Sequence, residues 1–346
     1  MTVAGFRGLT VLFLLPCALL VGCSRTPTRT PVVVYSPHGK DMLAAFEQLY
    51  ESAHPSHDVQ WLDMGAQDAY DRIRTERGNP QADVWWGGPS ITFLRAEQES
   101  LLARYIPSWD SAVGSEMKSA GGFWEGTFVT PEVIMYNTHV LAQEDAPKDW
   151  DDLLDPRWRG KIVIRSPLAS GTMRIIFGAL IQREEARTGS VEGGFAWLRR
   201  LDANTKTYAA DPTQLYLKIA REEGVVTLWN LPDVLIQVSR NGYPFGYVVP
   251  ASGTPLITEG IAIVRGAPHP EEARSFYEFV SSEESLLRQI KEFGRIPART
   301  DLPQSEFPSW LRALRYTPLP VDWGALAGHE REWMRRWDAE VKGRGS

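Results

Sequence analysis

Four stretches of the sequence place small, polar or aromatic residues directly after short apolar runs that predict strands. These candidate ligand-binding residues are Ser36, His38, Trp86, Gly87, Gly88, Ser166, Ser170, Gly171, Thr172, Arg174, Trp229, Asn230 and Asp233. The carboxyl ends of parallel strands meet at one edge of a sheet, and ligands bind there. Hydroxyl and amide groups at that edge can hydrogen-bond a solute. The pattern therefore predicts a binding site for a small molecule.

The segment from Ser166 to Arg174 predicts an anion site. Ser170, Gly171 and Thr172 directly precede or begin a predicted helix, and a helix N-terminus favours negative charge. Glycine lets a ligand approach the backbone, and Arg174 could add a two-pronged donor. Ser170 or Thr172 could equally serve as a plain N-cap, a role that is compatible with anion binding.

Several candidates have a second interpretation as structural residues. Successive side chains of a strand point to opposite faces, so at most one of Trp85 and Trp86 can face the cleft. We expect that residue to be Trp86. Trp86 could also pack in the core, and His38 could be incidental to a helix start. Glu259 could bind an amine or pair with a surface cation.

Motifs for catalysis or tight metal binding are absent from the sequence. It contains no HExxH pair, no phosphate-loop Gly-Lys-Thr and no GxSxG elbow. We therefore predict no enzyme, no cofactor and no metal site. A hydrolase or transferase assembled from residues distant in sequence stays an alternative hypothesis.

Composition excludes further partners. The chain has 43 acidic and 37 basic residues among 346, a formal net charge of −6. Nucleic acids and anionic membrane surfaces recruit basic patches, so neither is an expected partner. A chain of this length buries most of its surface and usually forms more than one core.

The predicted elements alternate between strand and helix. Strands are predicted at 31–36, 58–64, 82–86, 161–164 and 225–229, and helices at 67–77, 172–187, 270–282 and 283–292, with a last amphipathic helix in the tail. This order predicts an α/β fold with a mostly parallel sheet covered by helices. Long extended segments at 127–137 and 245–265 are expected to join two lobes as hinge strands around a central cleft. The first lobe would contain 32–128 and 258–346, and the second 129–257.

The N-terminus resembles a bacterial lipoprotein signal. An uncharged run from Leu9 to Gly22 follows Arg7 and ends at Cys23, as in a lipobox. The resemblance implies that residues 1–22 are removed, that Cys23 carries lipid, and that 23–31 form a flexible spacer. Cys17 would leave with the signal, so the mature chain would have no thiol for a disulfide, a metal or catalysis. An ordinary membrane anchor or a buried apolar helix is the alternative.

The rest of the chain resembles type II periplasmic solute-binding proteins of ABC importers. The matching segments are VVVYSPHGKDMLAAFE, PQADVWWGG, LLDPRWRGKIVIRSPLASGT, TPLITEGIAIVRGAPHPEEARSFYEFVSS and FGRIPART. The resemblance is to the branch that binds ferric ion, phosphonates or sugar phosphates. It implies a monomer outside the cytoplasm, lipid-anchored on the periplasmic face, that closes on a small solute and delivers it to an inner-membrane permease.

The resemblance leaves two ligand classes open. A phosphonate, phosphate ester or carboxylate fits the predicted anion site, whereas ferric iron is the alternative. The iron-binding relatives carry a tandem tyrosine pair near LWNLPDVL and a glutamate after the third strand, and this sequence has neither. Hard oxygen ligands of that kind are what ferric iron prefers. We therefore expect an anion rather than iron.

Overall fold

The first lobe begins with the predicted alternation of strands and helices. The computed structural model describes residues 1–2, 5 and 29–345. Its first elements are β1 (Thr30–Ser36), α1 (Lys40–Ala53), β2 (His57–Asp63), α2 (Ala66–Thr75), β3 (Val84–Pro89), α3 (Ser90–Gln98), the short β4 (Leu102–Ala103) and the long β5 (Glu125–Asn137). In α1 the buried residues Met42, Phe46 and Tyr50 recur every four positions and form the stripe that packs on the sheet.

The second lobe contains more elements than the sequence predicted. They are β6 (Ile162–Arg165), α4 (Gly171–Thr188), α5 (Val191–Asn204), β7 (Thr205–Ala209), α6 (Pro212–Ala220), β8 (Val226–Asn230), α7 (Leu231–Asn241) and β9 (Phe245–Val248). The chain then returns through β10 (Leu256–Val264), α8 (Pro270–Val280), α9 (Glu283–Phe293), α10 (Ser309–Ala313) and α11 (Trp323–Glu340).

One strand belongs to both lobes. The strand order is β2-β1-β3-β10-β5-β8-β6-β7, and β4 and β9 pair with β10 and β5. The first half of β5 pairs antiparallel with β10, and its second half, from Glu132, pairs with β8 and β9. The two lobes are therefore joined through continuous hydrogen-bonded strand, and the predicted two-lobed α/β fold is confirmed.

The predicted second hinge segment, 245–265, is wrong over its first part. Residues 245–248 form β9, which pairs with β5 inside the second lobe. The return crossing is made by the residues that lead into β10. The two strands look alike in sequence because both are extended and apolar, and only their pairing separates them.

The C-terminal helix packs on the second lobe instead of the predicted first. Leu326 and Trp337 of α11 are fully buried in the same core as Phe177 of α4. Gly178 makes room for Leu326, since a Cβ there would lie 2.2 Å from its Cδ1. Beyond the helix, the backbone N–H groups of residues 343–345 donate to Asp202. Burial of its apolar face fixes α11, a long-range effect that the helical pattern does not encode.

An ion pair connects α11 to the first lobe. Arg95 of α3 donates to Glu330 at 2.7 Å. Residues 29 and 30 begin the first lobe, whereas residues 343–345 lie on the second, so the two ends of the continuous described segment lie on different lobes.

The described residues contain no helix long and apolar enough to cross a membrane. Cys17 and Cys23 lie outside the described residues, as do most of the predicted signal and spacer.

Candidate functional site

A cavity of about 210 Å³ lies between the lobes. Its lining consists of Pro37, His38, Ala66, Gly88, Pro89, Thr130, Gly171, Thr172, Asn230, Asp233, Ile257, Glu259 and Arg295. Both lobes contribute residues, and so does β5, the strand that they share. The relative position of the two lobes therefore determines the shape of this cavity.

Five helices begin at the cavity. Residues at or just before the first turns of α1, α2, α3, α4 and α7 line it, because each of these helices follows a strand or its loop at the cleft edge. The first N–H groups of a helix have no partner within the helix, and the helix dipole makes this end positive. The backbone around the cavity therefore favours a negatively charged group.

The start of α4 has the predicted geometry. Ser170 is the N-cap, and its hydroxyl accepts a hydrogen bond from the Met173 N–H at 3.2 Å. Its side chain is thus committed to capping. Gly171 and Thr172 line the cavity directly, so their N–H groups and the Thr172 hydroxyl can reach a ligand.

Two glycines at the end of β3 shape the cavity wall. Gly87 has φ +102° and Gly88 φ +113°, a region that side chains strain to adopt. A Cβ on Gly87 would lie 2.6 Å from Nε2 of His38. Gly88 lines the cavity, whereas Gly87 contributes by leaving space for the imidazole.

His38 is held by the aromatic core. Its ring centroid lies 4.9 Å from that of Trp86 and 5.5 Å from that of Phe128, both edge-on. Burial lowers the pKa of His38 well below its usual value, and the positive charge of Arg295 lowers it further. His38 is therefore a neutral cavity residue at pH 7. Trp86 is fully buried behind it and supports it instead of facing the cleft as predicted.

A charged pair on one side of the cavity consists of Arg295 and Glu259 of β10. Arg295 lies 3.5 Å from Oε1 of Glu259, and Nδ1 of His38 lies 3.7 Å from Oε2. The Thr130 hydroxyl also donates to Oε1 of Glu259, at 2.5 Å. Glu259 is thereby fixed, and one guanidinium is available to an anion.

The second lobe contributes a hydrogen-bonded network around Asp233. Its Oδ2 accepts from Asn230 at 2.9 Å, from Trp229 at 3.1 Å and from Tyr216 at 3.0 Å. Asn230 is also the N-cap of α7 and accepts from the Asp233 N–H. The network holds the Asp233 carboxylate at the cavity wall.

A further carboxyl lies beneath the cavity. Glu132 of β5 is completely buried, and neither of its carboxyl oxygens has a hydrogen-bond partner among the described residues. Burial raises its pKa well above the usual value, and the negative charges of Asp233 and Glu259 raise it further.

The structure brings some predicted site residues together and leaves others outside the lining. His38, Gly88, Gly171, Thr172, Asn230 and Asp233 line the cavity. Ser36, Trp86, Gly87, Ser166, Ser170, Arg174 and Trp229 do not. Arg174 donates to the backbone carbonyls of Pro167 and Leu168, so its guanidinium braces the loop before α4. Ser36 is buried and accepts from the His38 N–H at 3.2 Å.

Sequence reasoning missed Thr130, Glu132 and Arg295. Thr130 and Glu132 lie two residues apart near the centre of β5, and this strand also contains Glu125, so the sequence alone does not single out Glu132. Arg295 follows α9, far from any predicted strand end.

The lining offers little to a ferric ion. It includes no tyrosine, and the described residues contain no group of three or more His, Cys, Asp or Glu side chains arranged to hold a metal. Ferric iron prefers hard phenolate and carboxylate oxygens, of which the lining supplies only the two carboxylates.

Comparison with known proteins identifies a match over most of the chain. A family model described as bacterial extracellular solute-binding protein matches residues 41–313. A Sinorhizobium fredii protein, the probable ABC transporter periplasmic-binding protein y4fP, is 27% identical over 334 residues, covering 94% of this chain and 90% of the relative. A provisionally named 2-aminoethylphosphonate-binding periplasmic protein of Salmonella typhimurium is 28% identical over 255 residues, 72% of each chain.

A solved structure confirms the architecture. The periplasmic binding protein AfuA from Actinobacillus pleuropneumoniae, with fructose-6-phosphate bound, superposes with a TM-score of 0.77 at 23% identity. The match covers 91% of this chain and all of that one. At this identity the likeness shows the fold alone.

Proposed function

The chain belongs to the bacterial extracellular solute-binding proteins, and we propose that it captures a small anionic solute for an ABC importer. A phosphonate, a phosphate ester or a carboxylate is the proposed class. The main support for this class is that five helix N-termini converge on one cavity between the lobes. Relatives named for ABC transport and for 2-aminoethylphosphonate support the proposal.

Binding would act through closure of the lobes. The α4 N-terminus and Asn230 belong to the second lobe, whereas His38 and Arg295 belong to the first. A solute that contacts both sets binds the closed form better than the open form, and this difference shifts the equilibrium toward closure. The closed form is what the permease would receive. The protein would work by capture and release and not by turnover.

Calorimetry on the purified protein tests the anion class. We expect 2-aminoethylphosphonate, fructose 6-phosphate or a carboxylate such as 3-aminopropionate to bind, and neutral fructose not to bind. Tight binding of a neutral solute with none of the anions would overturn the proposal. Ferric citrate belongs in the same panel, since a coloured complex with ferric ion alone would favour the iron alternative.

A backbone variant tests the role of the α4 N-terminus. Gly171→Pro removes one N–H at the first helical position, which proline tolerates, and Ser170 before it already has the extended backbone that proline requires. Hydrogen bonds to charged groups contribute about 1.5–3 kcal/mol, so affinity for the anion that binds should fall about 10- to 100-fold. Gly171→Ala is the matched control, because it adds a Cβ and keeps the N–H.

We also propose that Cys23 carries lipid that holds the protein at the membrane. The support is the uncharged run that ends at Gly22-Cys23. Radioactive palmitate fed to producing cells should label the protein, and Cys23→Ser should abolish the label. Cys17→Ser is the control, because it changes a neighbouring cysteine of the same apolar run. Equal labelling of both variants would refute the assignment.

A further inference from the structure

We propose that the cleft also holds a cationic amine, received by Glu132, Asp233 and Glu259. The inference rests on the proposed function, because the same cavity is used. It narrows the solute to a molecule that carries an anionic group and an ammonium group at opposite ends.

The charges of the lining favour a ligand that carries both a negative and a positive group. Asp233 and Glu259 face the cavity as carboxylates, and Arg295 is the one guanidinium in the lining. The lowered pKa of His38 leaves its imidazole neutral. Side-chain charge is therefore net negative, while the helix N-termini present positive backbone dipoles. A purely anionic solute would meet two carboxylates, whereas a zwitterion satisfies both kinds of group.

The position of Glu132 directs its carboxyl at the cavity floor. On β5 it is paired with Asn230 of β8 and lies two residues after Thr130. Paired residues, and residues two apart on one strand, project from the same face of a sheet. Asn230 and Thr130 both line the cavity, so the Glu132 side chain points to the same side. Its two oxygens have no hydrogen-bond partner among the described residues.

A buried carboxyl without a partner destabilises the fold, and a bound ammonium would satisfy it. Leaving a buried polar group unpaired costs about 1–3 kcal/mol, and more for a charged group. An ammonium carries a positive charge and three N–H donors, so it can donate to Glu132 while the charges of Asp233 and Glu259 stabilise it. The free energy lost by leaving Glu132 unpaired in the empty protein would be regained when an amine binds, and this would increase the affinity for the amine.

Asp233 is oriented to take part. Its three hydrogen bonds from Asn230, Trp229 and Tyr216 all end on Oδ2. Within the described residues its Oδ1 accepts none, so this oxygen is free to accept from an amine while Oδ2 holds the side chain in place.

The protonation of Glu132 would change on binding. Burial and the charges of Asp233 and Glu259 raise its pKa in the empty protein. The first lobe contributes neutral His38 and the Arg295 guanidinium to the same cavity. An ammonium placed against Glu132 favours the carboxylate and lowers its pKa. Amine binding at neutral pH should therefore release a proton.

Three pairs of solutes, each with and without the amine, test the inference by calorimetry. They are 2-aminoethylphosphonate and ethylphosphonate, 2-aminoethyl phosphate and ethyl phosphate, and 3-aminopropionate and propionate. We expect the amine of the preferred pair to bind at least about 10-fold more tightly than its partner, the value of one charged hydrogen bond. Phenol red in weakly buffered solution should report proton release with that amine alone.

Glu132→Gln isolates the residue. It should lower the affinity for the amine about 10-fold, abolish proton release, and leave the affinity for the matching solute without the amine within about threefold. Glu125→Gln is the matched control, since Glu125 lies on the same strand and is equally buried, but its carboxyl lies near Asp110 and Lys118 and not near the cavity carboxyl groups that act on Glu132. It should change neither affinity.

The outcomes separate the two proposals. Equal or tighter binding of the solutes without the amine would overturn the cation site and leave anion capture standing. A Glu132→Gln variant that weakens both members of a pair equally would also overturn it, because it would indicate a structural role. Failure of every member to bind would overturn the inference, and if fructose 6-phosphate also fails to bind, anion capture is refuted as well.

Discussion

Glu125 of β5 should make a contribution to the free energy of unfolding that decreases as pH rises from about 4.5 to about 8. Burial raises the pKa of Glu125 to about 8, from an ordinary 4.5. The neighbouring Asp110 raises it through a hydrogen bond from the protonated acid and through its negative charge, while Lys118 lowers it. Glu125 is fully buried, and neither of its oxygens has a hydrogen-bond partner with the acid ionised.

The sign follows from comparing the folded and unfolded chains. Below pH 4.5 the carboxyl is protonated in both states and makes no difference. Between pH 4.5 and about 8 the unfolded chain ionises while the folded protein keeps the proton. The free energy of unfolding then falls by at most about 1.4 kcal/mol per pH unit, or about 5 kcal/mol over the interval. Because the side chain of Asp110 is 33% exposed and its charge is screened, we expect about half of this value.

Urea unfolding of wild type and Glu125→Gln at pH 5, 6, 7 and 8 measures the effect. The variant should be similar to wild type at pH 5 and more stable by about 2–3 kcal/mol at pH 8. Glu271→Gln is the control, since that side chain is exposed and should leave the pH profile unchanged. Parallel curves for wild type and Glu125→Gln would refute the reasoning, because the carboxyl would then ionise alike in both states.

Three further substitutions test how the site and the C-terminal helix are supported. Gly87→Ala should destabilise the protein by about 1–3 kcal/mol and weaken solute binding, because it strains a backbone at φ +102° and displaces His38; unchanged affinity in calorimetry would contradict this. Asn230→Ala should cost about 1 kcal/mol in urea unfolding as a lost N-cap and also reduce affinity by freeing Asp233, whereas a loss of stability alone would show that the network is purely structural. Leu326→Ala should cost about 2–5 kcal/mol in thermal unfolding, and a change below 1 kcal/mol would show that α11 does not belong to this core.

Much of the fold could be predicted from local pattern. β1, β2 and α9 begin and end within one residue of the predicted segments, in which apolar residues recur at strand or helix spacing. The pattern does not show which elements meet. Residues 245–248 and 257–264 are both extended and apolar, yet the former pair inside the second lobe and the latter inside the first. The same lack of long-range information led to α11 being assigned to the wrong lobe.

The site divides in the same way. Gly171, Thr172 and Asn230 were predictable because a strand end and a helix start are local signals, and the structure places all three at the cavity. Arg295 and Glu132 depend on the return of the chain and on strand register, which a single sequence does not reveal. Trp86 was a choice between two faces of one strand, and the pairing of β3 with its neighbours decides it.

Residues 29 and 345, the two ends of the continuous described segment, belong to opposite lobes, so a distance measured between them would report the proposed closure. A fluorescent donor attached near residue 29 would lie on the first lobe, close to the proposed lipid. An acceptor attached near residue 345 would lie on the second lobe. Energy transfer between them would register capture in real time, without labels in the cleft. The labelled protein must keep the hydrogen bonds from the backbone of residues 343–345 to Asp202. Without them the C-terminus could detach, and the energy transfer would then measure that local unfolding instead of closure.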